Sequence, residues 1–149
     1  MPISFQLEYT DENGEKQRPI MIHRVCFGSI ERFIGIITEH FAGKYPVWLA
    51  PVQAKVLLVS EKSSEMAEKV YSALRAEGIR CELDNRNEKI GYRIREAQLS
   101  KVPYMVCVGA DEQENGTVAV RARKEGEGGN MTLDEFKAKL LMEIATKKH

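Results

Sequence analysis

From Lys55 to Ile144, short apolar runs suited to strands alternate with amphipathic helical stretches, and this alternation narrows the possible folds more than any other feature. Lys55-Val56-Leu57-Leu58-Val59 lacks a polar face and reads as a strand covered on both sides. Ser63 or Ser64 can cap a helix carrying Ala67, Val70, Tyr71 and Leu74, which Gly78 stops. Ile79, Cys81 and Leu83 alternate as a second strand, and the polar stretch Asp84 to Lys89 follows. Ile90, Ile94, Ala97 and Leu99 predict another helix, closed before Pro103. Tyr104 to Gly109 reads as a third buried strand, and Thr117 to Arg121 pairs with it across a polar turn. Thr132-Leu133-Asp134-Glu135 has capping-box spacing for a last helix using Phe136, Leu140, Leu141 and Ile144. The order β-α-β-α-β-β-α predicts an α/β domain with a mixed, mostly parallel sheet, flanking helices and right-handed crossovers. Glu125-Gly126-Glu127-Gly128-Gly129 is the one low-complexity stretch and predicts a flexible loop.

The first third of the chain follows a different pattern. Ile3, Phe5, Leu7 and Tyr9 alternate with polar residues, Asn13-Gly14 is a strong hairpin signal, and a return strand would run from Pro19 to Val25. Ser29 can cap a helix with Ile30, Phe33, Ile34, Ile37 and Phe41 at helical spacing, ended by Gly43. Pro46 and Pro51 then bracket a rigid apolar segment. Two units are expected, 1–46 and 47–149.

Composition sets limits on function. With 22 basic and 22 acidic side chains the formal net charge of this 149-residue chain is +0, so no global field steers it toward phosphates. Any nucleic-acid affinity must come from a local basic face. No apolar run is long enough to cross a bilayer and no signal segment opens the chain, so no membrane partner is expected. Cys26, Cys81 and Cys107 form no C-x-x-C pair and predict reduced thiols in a cytoplasmic protein. Phosphate-loop and dinucleotide fingerprints are absent. Three histidines, His23, His40 and His149, cannot fill a zinc site without other ligands. On chemistry alone, His23 and Arg32 are a packed or solvated imidazole and a surface charge.

The wording of several segments changes that weighting. Pro19-Ile20-Met21-Ile22-His23-Arg24-Val25-Cys26-Phe27-Gly28-Ser29-Ile30-Glu31-Arg32-Phe33 resembles motif 3 of class II aminoacyl-tRNA synthetases, in the form used by the threonyl-tRNA synthetases. Trp48 to Gln53, Arg86 to Gly91, Arg95-Glu96, Val102 to Met105 and Val118 to Arg121 resemble the same family in the same order. The resemblance implies that 1–46 is a β-hairpin and helix from the end of a class II catalytic domain. It implies that 47–149 is an anticodon-binding domain.

The same resemblance assigns roles. Arg32 would be the catalytic arginine on the terminal phosphate of ATP, where its fixed charge and the helix N-terminus suit phosphate oxygens. Gly28 would allow close backbone approach to the nucleotide, and Ser29 would donate a hydroxyl or merely cap the helix. His23 matches a ligand of the zinc ion that holds threonine by its amino and hydroxyl groups. Asn87, Glu112 and Arg121 match residues that read anticodon bases, with Arg86 and Arg95 beside them. Lys89, Arg93 and Lys101 would neutralise tRNA phosphates, although a solvated charge is an equal reading for Lys89 and Lys101. Arg121 to Lys124 extends the basic face, and binding is expected to be modest and steeply weakened by salt.

The implied whole enzyme is a threonine–tRNA ligase using ATP, Mg2+ and Zn2+, with threonine and threonine tRNA as partners, and a homodimer. The opening Met1 to Phe5 reads as a start inside the catalytic domain. This chain alone is therefore expected to bind neither cofactor tightly and not to catalyse adenylation. The alternative is a non-catalytic tRNA-binding or regulatory module derived from a synthetase; a generic α/β ligand-binding domain would explain the topology but not the motifs.

Overall fold

A computed structural model describes residues 1–123 and 126–148, with backbone alone at 126–128. Lys124 of the expected basic face, Glu125 of the expected loop and His149 lie outside the described residues. The chain divides into two compact units, Met1–Ile36 and Ile37–His149.

In the first unit, β1 (Tyr9–Thr10) and β2 (Lys16–Gln17) pair antiparallel. The Asp11 carboxylate accepts from the backbone N–H groups of Asn13 and Glu15, each at 2.9 Å, and Gly14 adopts a φ of 81°. The predicted hairpin therefore forms, but each strand has only 2 residues rather than the longer spans expected from Ile3 and to Val25. Nothing in the unit covers an apolar face, and an isolated two-stranded ribbon is marginal without a third strand or a helix. Ile20 and Ile22 are 91% and 87% exposed. Helix α1 (Ile30–His40) starts where expected: the Ser29 hydroxyl accepts from the Arg32 N–H at 3.4 Å and donates to Glu31 at 2.8 Å. No residue of Met1–Ile36 is buried.

The second unit begins within the sequence of α1. Gly43, at a φ of +71°, donates its N–H to the Thr38 carbonyl at 2.9 Å and so stops that helix. Among the described residues it then contains β3 (Ala54–Leu58), α2 (Ser64–Ala76), β4 (Cys81–Asp84), α3 (Ile90–Leu99) and β5 (Tyr104–Val108). After these come α4 (Ala110–Asn115), β6 (Thr117–Ala122), β7 (Gly126–Thr132) and α5 (Leu133–Ala145). The sheet order is β4-β3-β5-β6-β7, parallel across β4, β3 and β5 and antiparallel from β5 to β7.

Both faces are covered, as the strand compositions require. Val56, Leu58, Val106, Val108, Val118 and Val120 pack with Val70 and Leu74 of α2 and with Phe136 and Leu140 of α5. On the other face Leu57, Met105 and Cys107 meet Ala97 of α3, with Ile90 and Ile94 partly buried beside them.

Three local expectations are corrected. The polar turn before β6 contains the six-residue helix α4, whose N-cap is Gly109. The glycine-rich stretch from Gly126 is strand β7, paired with β6 through a register shift between Ala119 and Arg121. Backbone pairing alone recruits it, so apolar periodicity could not reveal it. Ser63 sits at the N-cap of α2, but its buried hydroxyl makes no capping bond. The Thr132–Glu135 capping box of α5 forms as expected, with Thr132 N–H donating to Glu135 at 2.9 Å.

Candidate nucleic-acid interface

The chain leaves β3 toward α2 on one face and β4 toward α3 on the other, so the loops diverge at the carboxyl ends of β3, β4 and β5. Such switch points in α/β sheets leave an open edge where loop residues converge. Val59 N–H donates to the Val108 carbonyl at 2.9 Å and closes the sheet there.

Register places the polar groups. Asp84, Leu57, Cys107 and Ala119 form one row across β4, β3, β5 and β6 on the α3 face. Glu82, Lys55, Met105 and Arg121 form the row below. Asn87 is exposed in the loop between β4 and α3, and exposed Lys89 is the N-cap of α3. Glu112 is half-buried, and one of its carboxylate oxygens accepts from the Gly109 N–H at 2.9 Å. Arg121 is half-buried on β6. Burial pushes the Cys107 thiol up; Arg121 opposes the rise, Glu112 adds to it and Arg93 opposes it. Glu112 on α4 and Arg121 on the following strand β6 thus both act on Cys107.

Other expected contacts lie elsewhere. Arg93 is 4% exposed, and its guanidinium donates to the Asp84 carbonyl at 2.9 Å and the Leu58 carbonyl at 2.5 Å. It faces the sheet and has no open path to a phosphate. Arg86 lies at the loop but is forked onto Asp84 at 3.0 and 2.7 Å and also bonded to Glu96. Asp84, then Glu96, hold its guanidinium firmly protonated. Lys101 donates to the Ala42 carbonyl at 2.6 Å and lies beyond α3, at the amino end of β5. It is at the opposite sheet edge from Asn87. Arg95 is exposed on α3.

In the first unit, Gly28 (φ +67°) and Ser29 lead into α1 and Arg32 is exposed in its first turn. His23 is exposed, and among the described residues no group of three or more His, Cys, Asp or Glu could hold a metal ion. His23 alone does not fit the zinc implied by the resemblance. Sequence reasoning missed Tyr92, 52% exposed near the start of α3. It falls off the stripe of Ile90, Ile94 and Ala97, and an aromatic on the solvent face of an otherwise patterned helix was the available signal. No described helix is long and apolar enough to cross a membrane.

The second unit is an α/β domain with a mixed sheet and polar loop residues at the carboxyl ends of its parallel strands. The chain belongs to the anticodon binding domain family, whose model matches residues 47–143. Its curated relatives are threonine–tRNA ligases. That of Caldanaerobacter subterraneus subsp. tengcongensis is 63% identical over 147 residues, covering 99% of this chain and 23% of that protein. That of Clostridium tetani is 58% identical over 144 residues, covering 97% and 22%. The chain thus spans less than a quarter of the length of these relatives. Among solved structures, the RNA binding domain of threonyl-tRNA synthetase from Cryptosporidium parvum superposes with a TM-score of 0.74 at 37% identity, covering 95% of this chain and 36% of that one.

Proposed function

We propose that this chain is the anticodon-reading part of a threonine–tRNA ligase, with 1–46 the end of its catalytic domain and 47–149 the anticodon-binding domain. The observation that carries the reading is that Arg121 lies on the sheet face that ends at the Asn87 loop, with Glu112 held in the first turn of α4 by the Gly109 N–H. Unstacked anticodon bases present polar edges that these groups suit. Asn87 both donates and accepts, Glu112 accepts from base amino groups through its second oxygen, and Arg121 supplies donors. Arg95 and Lys89 add positive charge beside the loop, and the exposed ring of Tyr92 offers a stacking surface.

In the whole enzyme, Arg32 would bind ATP phosphate, assisted by Gly28 and Ser29, and threonine would be joined to its tRNA. Mg2+, a second subunit and a cytoplasmic setting belong to that whole enzyme, the last in keeping with free Cys26, Cys81 and Cys107. No step is assigned to zinc. The uncovered apolar residues of the first unit, such as Ile20 and Ile22, support its packing against further catalytic-domain structure.

Anisotropy titration of threonine tRNA against the same tRNA with substituted anticodon bases, at matched salt, tests the reading. Discrimination of about 1–3 kcal/mol for a contacted base is expected. Equal affinity for every anticodon would sink it.

A further inference from the structure

Two arginines flank Asn87 in the sequence, and the guanidinium of each is bonded to protein groups, Arg86 at the surface and Arg93 buried. Arg86 makes three bonds to the Asp84 carboxylate: its backbone N–H at 3.3 Å, Nε at 3.0 Å and Nη2 at 2.7 Å. The same Nη2 reaches Glu96 on α3. Arg93, buried on α3, donates to the main-chain carbonyls of Asp84 and Leu58 at the carboxyl ends of β4 and β3. The end of β4 is thereby tied to α3 through both its side chain and its backbone. The connecting loop that displays Asn87 is anchored on each side.

Charge balance argues against a phosphate role for this cluster. Lys55 lies 3.6 Å from Glu82 and 3.9 Å from Asp84, Arg86 is paired with Asp84 and Glu96, and Arg93 is bonded to the Asp84 carbonyl. The carboxylates of Glu82, Asp84 and Glu96 thus balance these cations, whereas phosphate binding needs a positive surplus. What the cluster supplies is geometry, since a guanidinium fork on a carboxylate fixes direction as well as distance.

We infer that Arg86 and Arg93 are positioning residues that set the presentation of Asn87, and hence anticodon selectivity, without touching the nucleic acid. The inference rests on the anticodon reading above. It predicts an effect of geometry rather than charge: Arg86→Lys keeps the charge and loses the fork.

The test is to titrate the wild-type chain, Arg86→Lys, Arg86→Gln and Glu96→Gln with threonine tRNA and an anticodon-substituted tRNA over a salt series. Thermal melts establish that each variant is folded at the assay temperature. Both Arg86 variants are expected to lose about tenfold in the ratio of the two affinities, with Glu96→Gln losing part of that. The salt slope should stay at the wild-type value, whereas loss of a phosphate contact would lower it by roughly 0.7–0.9. Wild-type selectivity in Arg86→Lys overturns the inference whatever happens to overall affinity. So does a shallower slope with uniformly weaker binding in Arg86→Gln. Should the wild-type chain itself not discriminate, the anticodon reading fails first, and that arm is read before the variants.

Discussion

Glu112 shows how one residue serves fold and recognition at once. Its carboxylate caps α4 by accepting from the Gly109 N–H, which also fixes where its other oxygen points. A Cβ at Gly109 would lie 2.8 Å from Glu112 Oε2, the far end of a side chain that can move away, and at an ordinary 3.5 Å from Val59 Cβ. Gly109→Ala should therefore displace the carboxylate, lose the cap at a cost of about 1 kcal/mol in urea unfolding, and weaken anticodon discrimination. An alanine variant with wild-type stability and wild-type discrimination would show that Glu112 is not held this way. Arg93 was the most readable of the misplaced residues. Ile90, Arg93, Ile94 and Ala97 follow the i, i+3, i+4, i+7 spacing of one helix face, so its burial was written in the pattern. Reading it as a phosphate contact gave residue type more weight than periodicity. Asn87, Glu112 and Arg121 could be selected only through family wording, because exposed polar residues carry no periodic signal of their own.

At the scale of elements, strands and helices with an apolar face were legible and those without one were not. The stretches that became β3, α2, β4, α3, β5, β6 and α5 each carry a buried stripe. Helix α4 has no buried residue, and β7 is recruited by main-chain pairing to β6. Lys101 is close to Lys89 and Arg93 in sequence, yet α3, at about 1.5 Å per residue, carries the chain to the other end of the sheet. The join between β4 and α3 makes a pH prediction. Arg86 above all, against the opposing effect of burial, holds the Asp84 carboxyl below its ordinary value of 3.8. A carboxylate whose pKa is lower when folded contributes stability that is complete above its unfolded value and is lost as pH falls through the folded one. Wild-type protein should thus lose stability on passing from about pH 5 to about pH 2, and Asp84→Asn should lose less over the same interval. Urea midpoints across that range measure the difference. Parallel curves would mean that the Asp84–Arg86 pair contributes nothing.

Over the whole molecule, the formal charge of +0 gains meaning from where the cations sit. Arg86, Arg93 and Lys101 are engaged with protein groups, as is Arg123, which donates to the carbonyls of Lys44, Tyr45 and Lys101. Beside the Asn87 loop, Arg86, Lys89 and Arg95 are all exposed, and of these Arg86 is engaged with Asp84 and Glu96. A steep salt dependence, natural for the basic cluster visible in the sequence, no longer follows. Each phosphate contact contributes roughly 0.7–0.9 to the slope of log affinity against log salt, so two contacts give a slope of about −1.4 to −1.8. Raising salt from about 50 to about 200 mM should then weaken binding of threonine tRNA by roughly 7- to 12-fold, a modest loss for a nucleic-acid site. Selectivity between anticodons should persist across that range, because base-edge contacts release few counterions. A measured slope steeper than about −4 would require the protein-bound arginines to exchange their partners for phosphates. That would undo the positioning role of Arg86 and Arg93 along with the charge distribution described here.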